Sequence, residues 1–473
     1  MEQTTPRSAS SSLRTQRLTV IGGGSGCNAI ISPLQDSLRT TFIVPVSDDG
    51  GSTAEILRVL GGPALGDIRS RLVRLIPLSP PESPLGCIRR LFEYRLPSEG
   101  TQSEIKMEWH TIVEGTHKLW RGFNFKKASI GNLFLSGASL FLGSVPSAIF
   151  LFASLTGIPH ERFAVVPVIN TSSTVTIAAE LENGSIIAGQ SEISHPSPSP
   201  LLPNAVSPSL LPALKPPTST TPHHPFPPNS SYFPLTRATT PSFPEPPVLG
   251  AEEDDDSRPM DESPDPNQFS AFQFSSSSSF PSRRESDRSK NIEFSKDSEE
   301  SLPPLEARIS RIFYLNAFGH EIYPRPNGLF LESLQSSTSL IYAPGSLYTS
   351  ILPCLALPSV GSLIATSPSL KHKILLLNTS PDRETPGYNA LDFVKAISKA
   401  CNRAYGDEDP ENKRYWEPRD FVTSVVYLEG SKVEVEREEL EALGIRTVAA
   451  RATSSGLFDD DTVREALETI FST

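Results

Sequence analysis

The sequence predicts an α/β fold: a three-layer α/β/α arrangement with a mainly parallel sheet and one antiparallel hairpin. Short runs rich in β-branched residues alternate with helix-like stretches, which is the pattern of parallel strands joined by crossover helices. Asn183-Gly184 separates two further strand-like runs and is the strongest two-residue hairpin signal. Together these observations predict a Rossmann-like core.

The elements follow from where the runs begin and end. Strands are predicted at 17–21, 41–46, 163–169, 339–343, 373–378 and 421–428, each bounded by Gly, Pro, Asp or Asn. Helices are predicted at 53–60, 66–76, 390–404 and 461–471. The hairpin strands are predicted at 174–182 and 185–193, and a strand at 311–315 resumes the sheet.

A proline-rich segment interrupts this pattern. Of the 45 prolines, 22 fall between Pro196 and Pro303, together with the run Ser275–Ser279 and the acidic cluster Glu252–Asp256. Such a composition cannot bury enough apolar surface to offset its ordering entropy. We expect a disordered tail at 1–17, one discontinuous nucleotide-binding domain at 18–195 and 305–473, and a disordered insertion at 196–304 that is open to regulatory partners.

Composition excludes several classes of protein. The formal charge of −12 argues against sequence-independent binding of nucleic acid or anionic membrane, because that affinity comes from clustered Lys and Arg. The four cysteines are scattered without CxxC spacing, which suggests neither zinc nor disulfides and fits a reducing, cytoplasmic compartment. The uncharged run at 128–159 is interpreted as two core helices joined by a turn at 143–146, in preference to a membrane span.

The first predicted strand runs directly into a glycine-rich turn. Glycines at a strand-to-helix turn let the backbone approach a ligand and direct N–H groups at a phosphate. The candidate phosphate-binding residues here are Gly23, Gly24, Ser25, Gly26 and Asn28. The turn satisfies GxGxxA with Asp48 about 20 residues further on, as in a dinucleotide fold. The alternative is a tight turn whose glycines are purely structural.

The second strand ends in two adjacent carboxylates, Asp48 and Asp49, followed by two glycines. This arrangement suits a Mg²⁺ ion held by one carboxylate and a second glycine-rich turn that meets the ligand. The candidate ligand-binding residues of this turn are Gly50, Gly51 and Ser52. In the alternative interpretation, Asp49 only caps a helix that begins near Thr53.

Further loops rich in glycine and hydroxyl groups follow other predicted strands. Because loops after strand carboxyl ends converge in an open α/β sheet, they are predicted to share one crevice. Their candidate residues are Gly66, Asp67, Arg69, Ser129, Gly131, Asn132, Asn170, Gly345, Ser346, Tyr348, Thr349 and Ser350. These loops contain no lysine, so phosphate charge would be offset by helix N-termini, Mg²⁺ and a few arginines.

The ordered set GGGSG, SDDGGST, GGPALGDIR, SIGNLFL, APGSLYTSILPCL and LLLNTSPDRETPGY resembles the CofD family, which includes 2-phospho-L-lactate transferase and the YvcK-type gluconeogenesis factors. The resemblance implies Mg²⁺-dependent transfer of a phospholactyl-type group from a nucleoside diphosphate donor to an alcohol. It implies catalytic roles for Asp48, Asp49 and Asp67, with Asp48 or Asp49 on the metal and Tyr348 near the ligand. YvcK-type members instead bind UDP-N-acetylglucosamine and regulate metabolism.

Two departures from the family pattern concern the acceptor end of the crevice. Ala128 stands where YvcK-type members have a histidine, and Ser380-Pro381-Asp382-Arg383-Glu384-Thr385 replaces TQPGET. We therefore expect a transferase with a nucleoside-diphosphate-linked ligand. A non-catalytic nucleotide-sugar regulator is the second candidate, and an NAD-dependent oxidoreductase is the third. A homodimer is compatible with the sequence, and Cys27 is expected to be a buried packing residue.

Overall fold

The computed structural model describes residues 12–23, 26–97, 128–196, 303–316, 318–403 and 415–472, with the backbone alone at 28 and 29. The strands are β1 Arg17–Ile21, β2 Arg39–Val44, β3 Phe163–Pro167, β4 Thr176–Leu181, β5 Ile186–Ala188, β6 Ile309–Leu315, β7 Glu321–Ile322, β8 Ser339–Tyr342, β9 His372–Leu376, β10 Ser424–Leu428 and β11 Arg446–Ala450. The helices are α1 Ile31–Leu34, α2 Gly51–Leu60, α3 Gly66–Leu75, α4 Pro84–Glu93, α5 Ile130–Leu142, α6 Val145–Leu155, α7 Gln190–Ser194, α8 Gly328–Ser336, α9 Leu352–Leu355, α10 Val360–Thr366, α11 Ala390–Asn402, α12 Arg437–Ala442 and α13 Asp460–Phe471. Turns of 3₁₀-helix lie at Leu13–Thr15, Gly26–Ile30 and Pro418–Asp420, and a π-helical turn lies at Leu347–Ile351.

Seven strands form one parallel sheet in the order β11-β10-β9-β8-β1-β2-β3. In its centre, Leu18 of β1 pairs with Thr40 of β2 on one side and with Ser339 of β8 on the other. The predicted parallel sheet is confirmed, and each of the six predicted strands falls on an observed strand. The sequence analysis missed β11, a short edge strand in which only Val448 and Ala450 are buried.

The central strands are buried along almost their whole length, which requires a cover of helices on both faces of the sheet. Helix α3 packs on β2 and β3, α8 packs on β1, and α13 packs on β11. The four predicted helices are all present, with ends that differ by no more than two residues. This layered core fixes the carboxyl ends of the strands, where the candidate loops lie.

A second, antiparallel sheet has the strand order β5-β4-β6-β7. The predicted hairpin turn is confirmed, with Gly184 at φ 83° between β4 and β5. The predicted second hairpin strand, 185–193, is wrong in its last part, because the chain turns at Gly189 into helix α7. Strand β6 pairs with β4, so the predicted single hairpin is two strands of a four-stranded sheet.

The uncharged stretch forms the helix pair α5 and α6, as predicted, with Gly143 in the left-handed conformation between them. One side of the pair packs into the core, while Phe141 and Phe150 on the other side are 89% and 62% exposed. Among the described residues, no single helix has the length and apolar composition to cross a membrane. Only the bent pair Leu347–Leu355 and Val360–Thr366, at 79°, meets those criteria when taken together.

We predict that replacing residues 198–302 with a short Gly/Ser bridge leaves the melting temperature nearly unchanged. The described residues on both sides of the segment belong to one compact unit, and the sequence predicts that the removed segment buries no core. Differential scanning calorimetry of the full and shortened chains measures the effect. Loss of soluble, folded protein on shortening would show that the segment packs on the domain.

Candidate functional site

The order of strands in the parallel sheet reverses between β1 and β8. From β1 the chain proceeds to β2 and β3 on one side, whereas β8 to β11 extend on the other. In open α/β sheets, ligands bind in the crevice outside the strand carboxyl ends at such a reversal. The glycine loop after β1 and the loop at Ala343–Gly345 after β8 flank this crevice.

The two loops approach each other closely enough to exclude side chains. A Cβ atom on Gly26 would lie 2.6 Å from the carbonyl oxygen of Pro344, and one on Gly22 would lie 2.8 Å from the Cβ atom of Ala343. Both glycines are therefore required for the two loops to approach each other this closely. This agrees with the interpretation in which the glycines of the turn are structural. Gly24, Ser25 and the side chain of Asn28 lie outside what the structure describes.

The loop after β8 is fixed by Asn378, which follows β9. The Gly345 amide donates to Asn378 Oδ1 at 3.1 Å, and Asn378 Nδ2 donates back to the Gly345 carbonyl at 2.9 Å. Ser346 then leads into the π-helical turn, where the Ser350 amide donates to the Ser346 carbonyl at 3.0 Å. Single π turns in proteins are frequent at functional sites.

Two carboxylates, the half-buried Asp48 and the buried Asp67, lie beside this crevice. Asp48 Oδ1 accepts from the Gly50 amide at 3.1 Å, and a Cβ atom on Gly66 would lie 2.6 Å from Asp48 Oδ2. A Cβ atom on Gly23 would collide with the Asp67 carboxylate. Burial, and then repulsion from Asp67, raises the pKa of Asp48 to about 7. Two carboxylates that repel each other in a poorly solvated site could bind a divalent cation.

The described residues contain no group of three or more His, Cys, Asp or Glu side chains placed to bind a metal. Mg²⁺ at phosphate sites does not need such a group. The ion there takes one or two protein carboxylates, and phosphate oxygens and water complete its coordination. The Asp48 and Asp67 pair fits that chemistry.

Asp49 has a different environment from its neighbour Asp48. Its Oδ1 atom accepts from the Ser191 amide, in the first turn of α7, at 2.7 Å. A Cβ atom on Gly189 would lie 2.7 Å from its other oxygen. Helix α2 begins after Gly50 without a side-chain cap, so the alternative that Asp49 caps this helix is wrong. The carboxylate of Asp49 instead anchors α7.

A network of side chains joins the first turns of three helices near these carboxylates. Arg69 Nε donates to Asn132 Oδ1 at 3.1 Å, and Asn132 Nδ2 donates to the Ser52 hydroxyl at 3.3 Å. Gly131 leaves room for Arg69, since a Cβ atom there would lie 2.9 Å from the arginine side chain. Ser129 caps α5 by accepting from the Asn132 amide. The structure thus brings together residues that the sequence predicted on separate loops.

The guanidinium of Arg69 supplies positive charge to this network. Burial, and then repulsion from Arg95, lowers the pKa of Arg69 to about 10. The group remains protonated at neutral pH. Positive ends of α2, α3 and α5 lie around it, which together favour an anionic ligand group.

Asn170 lies at the carboxyl end of β3, on the rim of a cavity of about 620 Å³. The loop after β3 and the β6–β7 hairpin line this cavity, which includes the side chains of Phe318 and Arg325. The same loop approaches the start of the Asp67 loop, where a Cβ atom on Gly62 would lie 3.9 Å from the Ser172 carbonyl. Asn170 therefore belongs to a part of the surface beside the carboxylates.

Tyr348, expected near the ligand, is 5% exposed. Its hydroxyl donates to the Ile309 carbonyl at 3.1 Å and lies 2.8 Å from the Tyr388 hydroxyl. Burial raises the pKa of Tyr348 well above its ordinary value. The hydroxyl is thus engaged within the protein, and the expected ligand contact through it has no support in the geometry.

Glu384 is a buried carboxylate that the sequence analysis did not single out. It accepts from the amides of Tyr348 and Thr349 at 2.9 and 3.2 Å, from the Thr349 hydroxyl at 2.6 Å, and from the Ser194 hydroxyl. Burial, and then repulsion from Asp382, raises its pKa to about 7. The amide and the hydroxyl of Thr349 both bind Glu384, and these bonds stabilise the π-helical turn.

Asn378 and Glu384 differ in how they could have been found. Asn378 ends a correctly predicted strand, so the rule that selected Asn170 would also select Asn378. Glu384 lies in a loop, and its partners are distant in sequence, so no local pattern indicates it. Cys27 is fully buried, as expected, and burial raises the pKa of its thiol.

The comparisons with known proteins agree on one family. The family model for 2-phospho-L-lactate transferase CofD matches residues 18–453. The uncharacterised protein YNL011C of Saccharomyces cerevisiae is 32% identical over 91% of this chain and 94% of its own length. The gluconeogenesis factor of Bacillus subtilis is 21% identical over 91% of this chain and 89% of its own length.

A solved structure shows the same fold. Protein BH3568 of Bacillus halodurans aligns with a TM-score of 0.56 and 19% sequence identity. The alignment covers 96% of this chain and 99% of that one. At this identity the likeness concerns the fold alone.

We predict that Glu384→Gln changes how stability depends on pH. Because the folded pKa of about 7 lies above the ordinary value of 4.5, the folded state binds more protons than the unfolded state in that window. The free energy of unfolding of the wild type should therefore fall as pH rises from 4.5 to 7, and the glutamine variant should lack this component. The difference between the two proteins should change by on the order of 3 kcal/mol across the window.

Urea unfolding at a series of pH values measures this difference. Glu438→Gln, which removes an exposed carboxylate from α12, is the control, and its unfolding free energy should depend on pH in the same way as that of the wild type. Parallel profiles for the wild type and Glu384→Gln would show that the carboxylate ionises normally in the folded protein.

Proposed function

The chain belongs to the CofD family, and on that premise we propose that it binds a nucleoside-diphosphate-linked molecule with Mg²⁺ and transfers a phosphate-linked group to an alcohol. The observation that carries the proposal is the convergence of two glycine loops and the carboxylates of Asp48 and Asp67 on the strand reversal between β1 and β8. Such a crevice suits an extended ligand that is held mainly by backbone N–H groups.

Asp48 and Asp67 would hold the metal ion. Burial, and then repulsion from Asp67, raises the pKa of Asp48, and a bound cation would relieve that repulsion. When bound, Mg²⁺ neutralises the diphosphate and polarises its phosphorus–oxygen bonds. Asp49 acts differently, because its carboxylate accepts the Ser191 amide and so positions α7.

Arg69 and the first turns of α2, α3 and α5 would receive the phosphate oxygens. The network through Asn132 holds these groups in place before the ligand arrives, so little reorganisation is needed on binding. The acceptor hydroxyl would form a new bond to phosphorus while the bridging bond of the diphosphate breaks and a nucleoside monophosphate leaves. Catalysis would rest on positioning and charge stabilisation.

The acceptor requires room next to the phosphates. The cavity beside Asn170 offers it, with a volume in the range of small-molecule sites. It opens next to the loop that leads to Asp67, and Phe318 gives it an apolar side. This adjacent cavity favours a transferase over a protein that only binds a nucleotide.

A non-catalytic regulator that binds a nucleotide sugar is the second candidate. It is favoured by relatives named gluconeogenesis factor that match about nine-tenths of this chain at 21% identity. An NAD-dependent oxidoreductase has less support, because its ribose-binding acid should be available to a hydroxyl. Asp48 instead lies beside Asp67 and accepts the Gly50 amide.

We predict that Asp48→Ala abolishes Mg²⁺-dependent ligand binding with little loss of stability, because it removes a proposed metal ligand. Asp49→Ala should also abolish it, but through displacement of α7, and should lower stability because the Ser191 amide loses its partner. Isothermal titration calorimetry with and without Mg²⁺ compares the variants. Glu438→Gln is the charge-matched control. Unchanged affinity in Asp48→Ala would refute the metal assignment, and unchanged affinity in Asp49→Ala would refute the role of α7 in binding.

We predict micromolar affinity, about 7–9 kcal/mol, for a GDP- or UDP-linked molecule in the presence of Mg²⁺. Thermal shift with a panel of nucleotide conjugates identifies the best one. Incubation of that conjugate with the deazaflavin Fo and with cell extract then tests for nucleoside monophosphate. Release of the monophosphate supports the transferase, and stabilisation without release favours the regulator. The absence of stabilisation by every conjugate would defeat both.

A further inference from the structure

One arginine contacts the chain on both sides of residues 197–302. Arg383 Nη1 donates to the carbonyl oxygens of Glu192, at 2.7 Å, and Ile193, while its Nε donates to the Pro303 carbonyl at 2.8 Å. Glu192 and Ile193 belong to α7, shortly before that segment, and Pro303 follows it directly. A single guanidinium therefore holds the two ends of the segment together.

Helix α7 connects these ends to the candidate site. The Ser191 amide donates to Asp49, as described above, and the Ser194 hydroxyl donates to Glu384 and lies 3.1 Å from the Thr349 hydroxyl. The helix has five residues, which is too short to be stable by itself. Its position therefore depends on these anchors, on the buried side chain of Ile193 and on Arg383.

The planar guanidinium is the group that can make these bonds together. Its Nε and Nη1 atoms donate in different directions, to α7 and to Pro303, whereas a lysine offers a single nitrogen on a flexible stem. Arg383 belongs to the stretch 380–385, where the sequence departs from the pattern of bacterial relatives. Its neighbour Glu384 binds the same helix, because it accepts a hydrogen bond from the Ser194 hydroxyl.

We infer that Arg383 is a positioning residue that holds α7, and through it Asp49, in place against the entropic cost of closing the long segment 197–302. Without Arg383, α7 would keep its bonds to Asp49 and Glu384, and Pro303 would be held only through the pairing of β4 with β6, while the long chain between them opposes their approach. In a shortened chain, a short covalent bridge lowers that cost, so Arg383 is needed less. The ligand part of this inference rests on the proposed function, but the placement of α7 does not.

Four proteins test the inference: the full chain and the chain shortened by replacing 198–302 with a Gly/Ser bridge, each with Arg383 or with Arg383→Ala. Hydrogen exchange of the amides at 190–196, measured by mass spectrometry without ligand, reports the opening of α7. We expect Arg383→Ala to accelerate exchange about tenfold in the full chain. In the shortened chain, the same substitution should have a much smaller effect.

Arg14→Ala, which removes an exposed arginine near β1, is the control and should leave exchange at 190–196 unchanged. Arg383→Lys in the full chain should resemble Arg383→Ala, and full rescue by lysine would show that charge suffices. An equal effect of Arg383→Ala in both chains, or no effect in either, would overturn the inference. A general loss of structure in the full-chain variant would appear as faster exchange in β1 and β8. In that case, slower exchange at 190–196 after shortening of the variant would still support the inference.

The second readout is the Mg²⁺-dependent affinity for the best nucleotide conjugate. Arg383→Ala should lower this affinity severalfold in the full chain and leave it nearly unchanged in the shortened one. If the wild type binds no conjugate, the proposed function fails, while the exchange experiment still decides the role of Arg383. If exchange responds as expected but affinity does not, α7 is held by Arg383 without influence on the site, and the link to Asp49 is wrong.

Discussion

The close contact between the chain leaving β1 and the chain leaving β8 is the constraint on which the candidate site depends. Gly22 and Gly26 meet Ala343 and Pro344 at distances that no side chain could share. This contact brings the two loops to the strand reversal, and Asn378 then fixes the second loop through paired bonds to Gly345. The crevice is thus narrow at its base because of backbone packing.

Acidic side chains around this crevice serve two different purposes. Glu384 accepts from four hydrogen-bond donors and joins the π-helical turn to α7, which offsets part of the cost of its burial. Asp48 accepts the Gly50 amide, and burial and then repulsion from Asp67 disfavour its charged form, so a cation would stabilise it. Carboxylates with perturbed pKa values are common at functional sites.

The sequence predicted those features that depend on local pattern. The central strands are continuous apolar runs, and their helices have clear periodicity, so their type and approximate ends were correct. The pattern does not indicate β11, because one face of this strand is partly exposed. It extends the second hairpin strand to residue 193, whereas the chain after Gly189 forms α7. Each error concerns a short element whose conformation is set by contacts with distant residues.

The same distinction applies to the candidate site. Glycine turns and the residues beside them, such as Gly26, Asp48 and Arg69, were found because their spacing carries the signal. Asp49, Tyr348 and Thr349 were also selected, but their partners Ser191, Tyr388 and Glu384 lie 35 to 142 residues away and give them structural roles. The motifs thus indicated loops that the fold brings close together, while only the fold shows which of their residues are bound to other parts of the protein.

The side-by-side ends of the segment 197–302 have a consequence for how this chain can vary in length. The ends lie against one side chain, between strands that pair with each other, so added or lost residues need not alter the register of β4 or β6. The entropy of closing such a loop grows only logarithmically, by about 0.6 kcal/mol for each doubling. Changes in the length of the segment would therefore alter the free energy of folding only slightly. A reporter domain whose termini lie close together could be spliced into the same position.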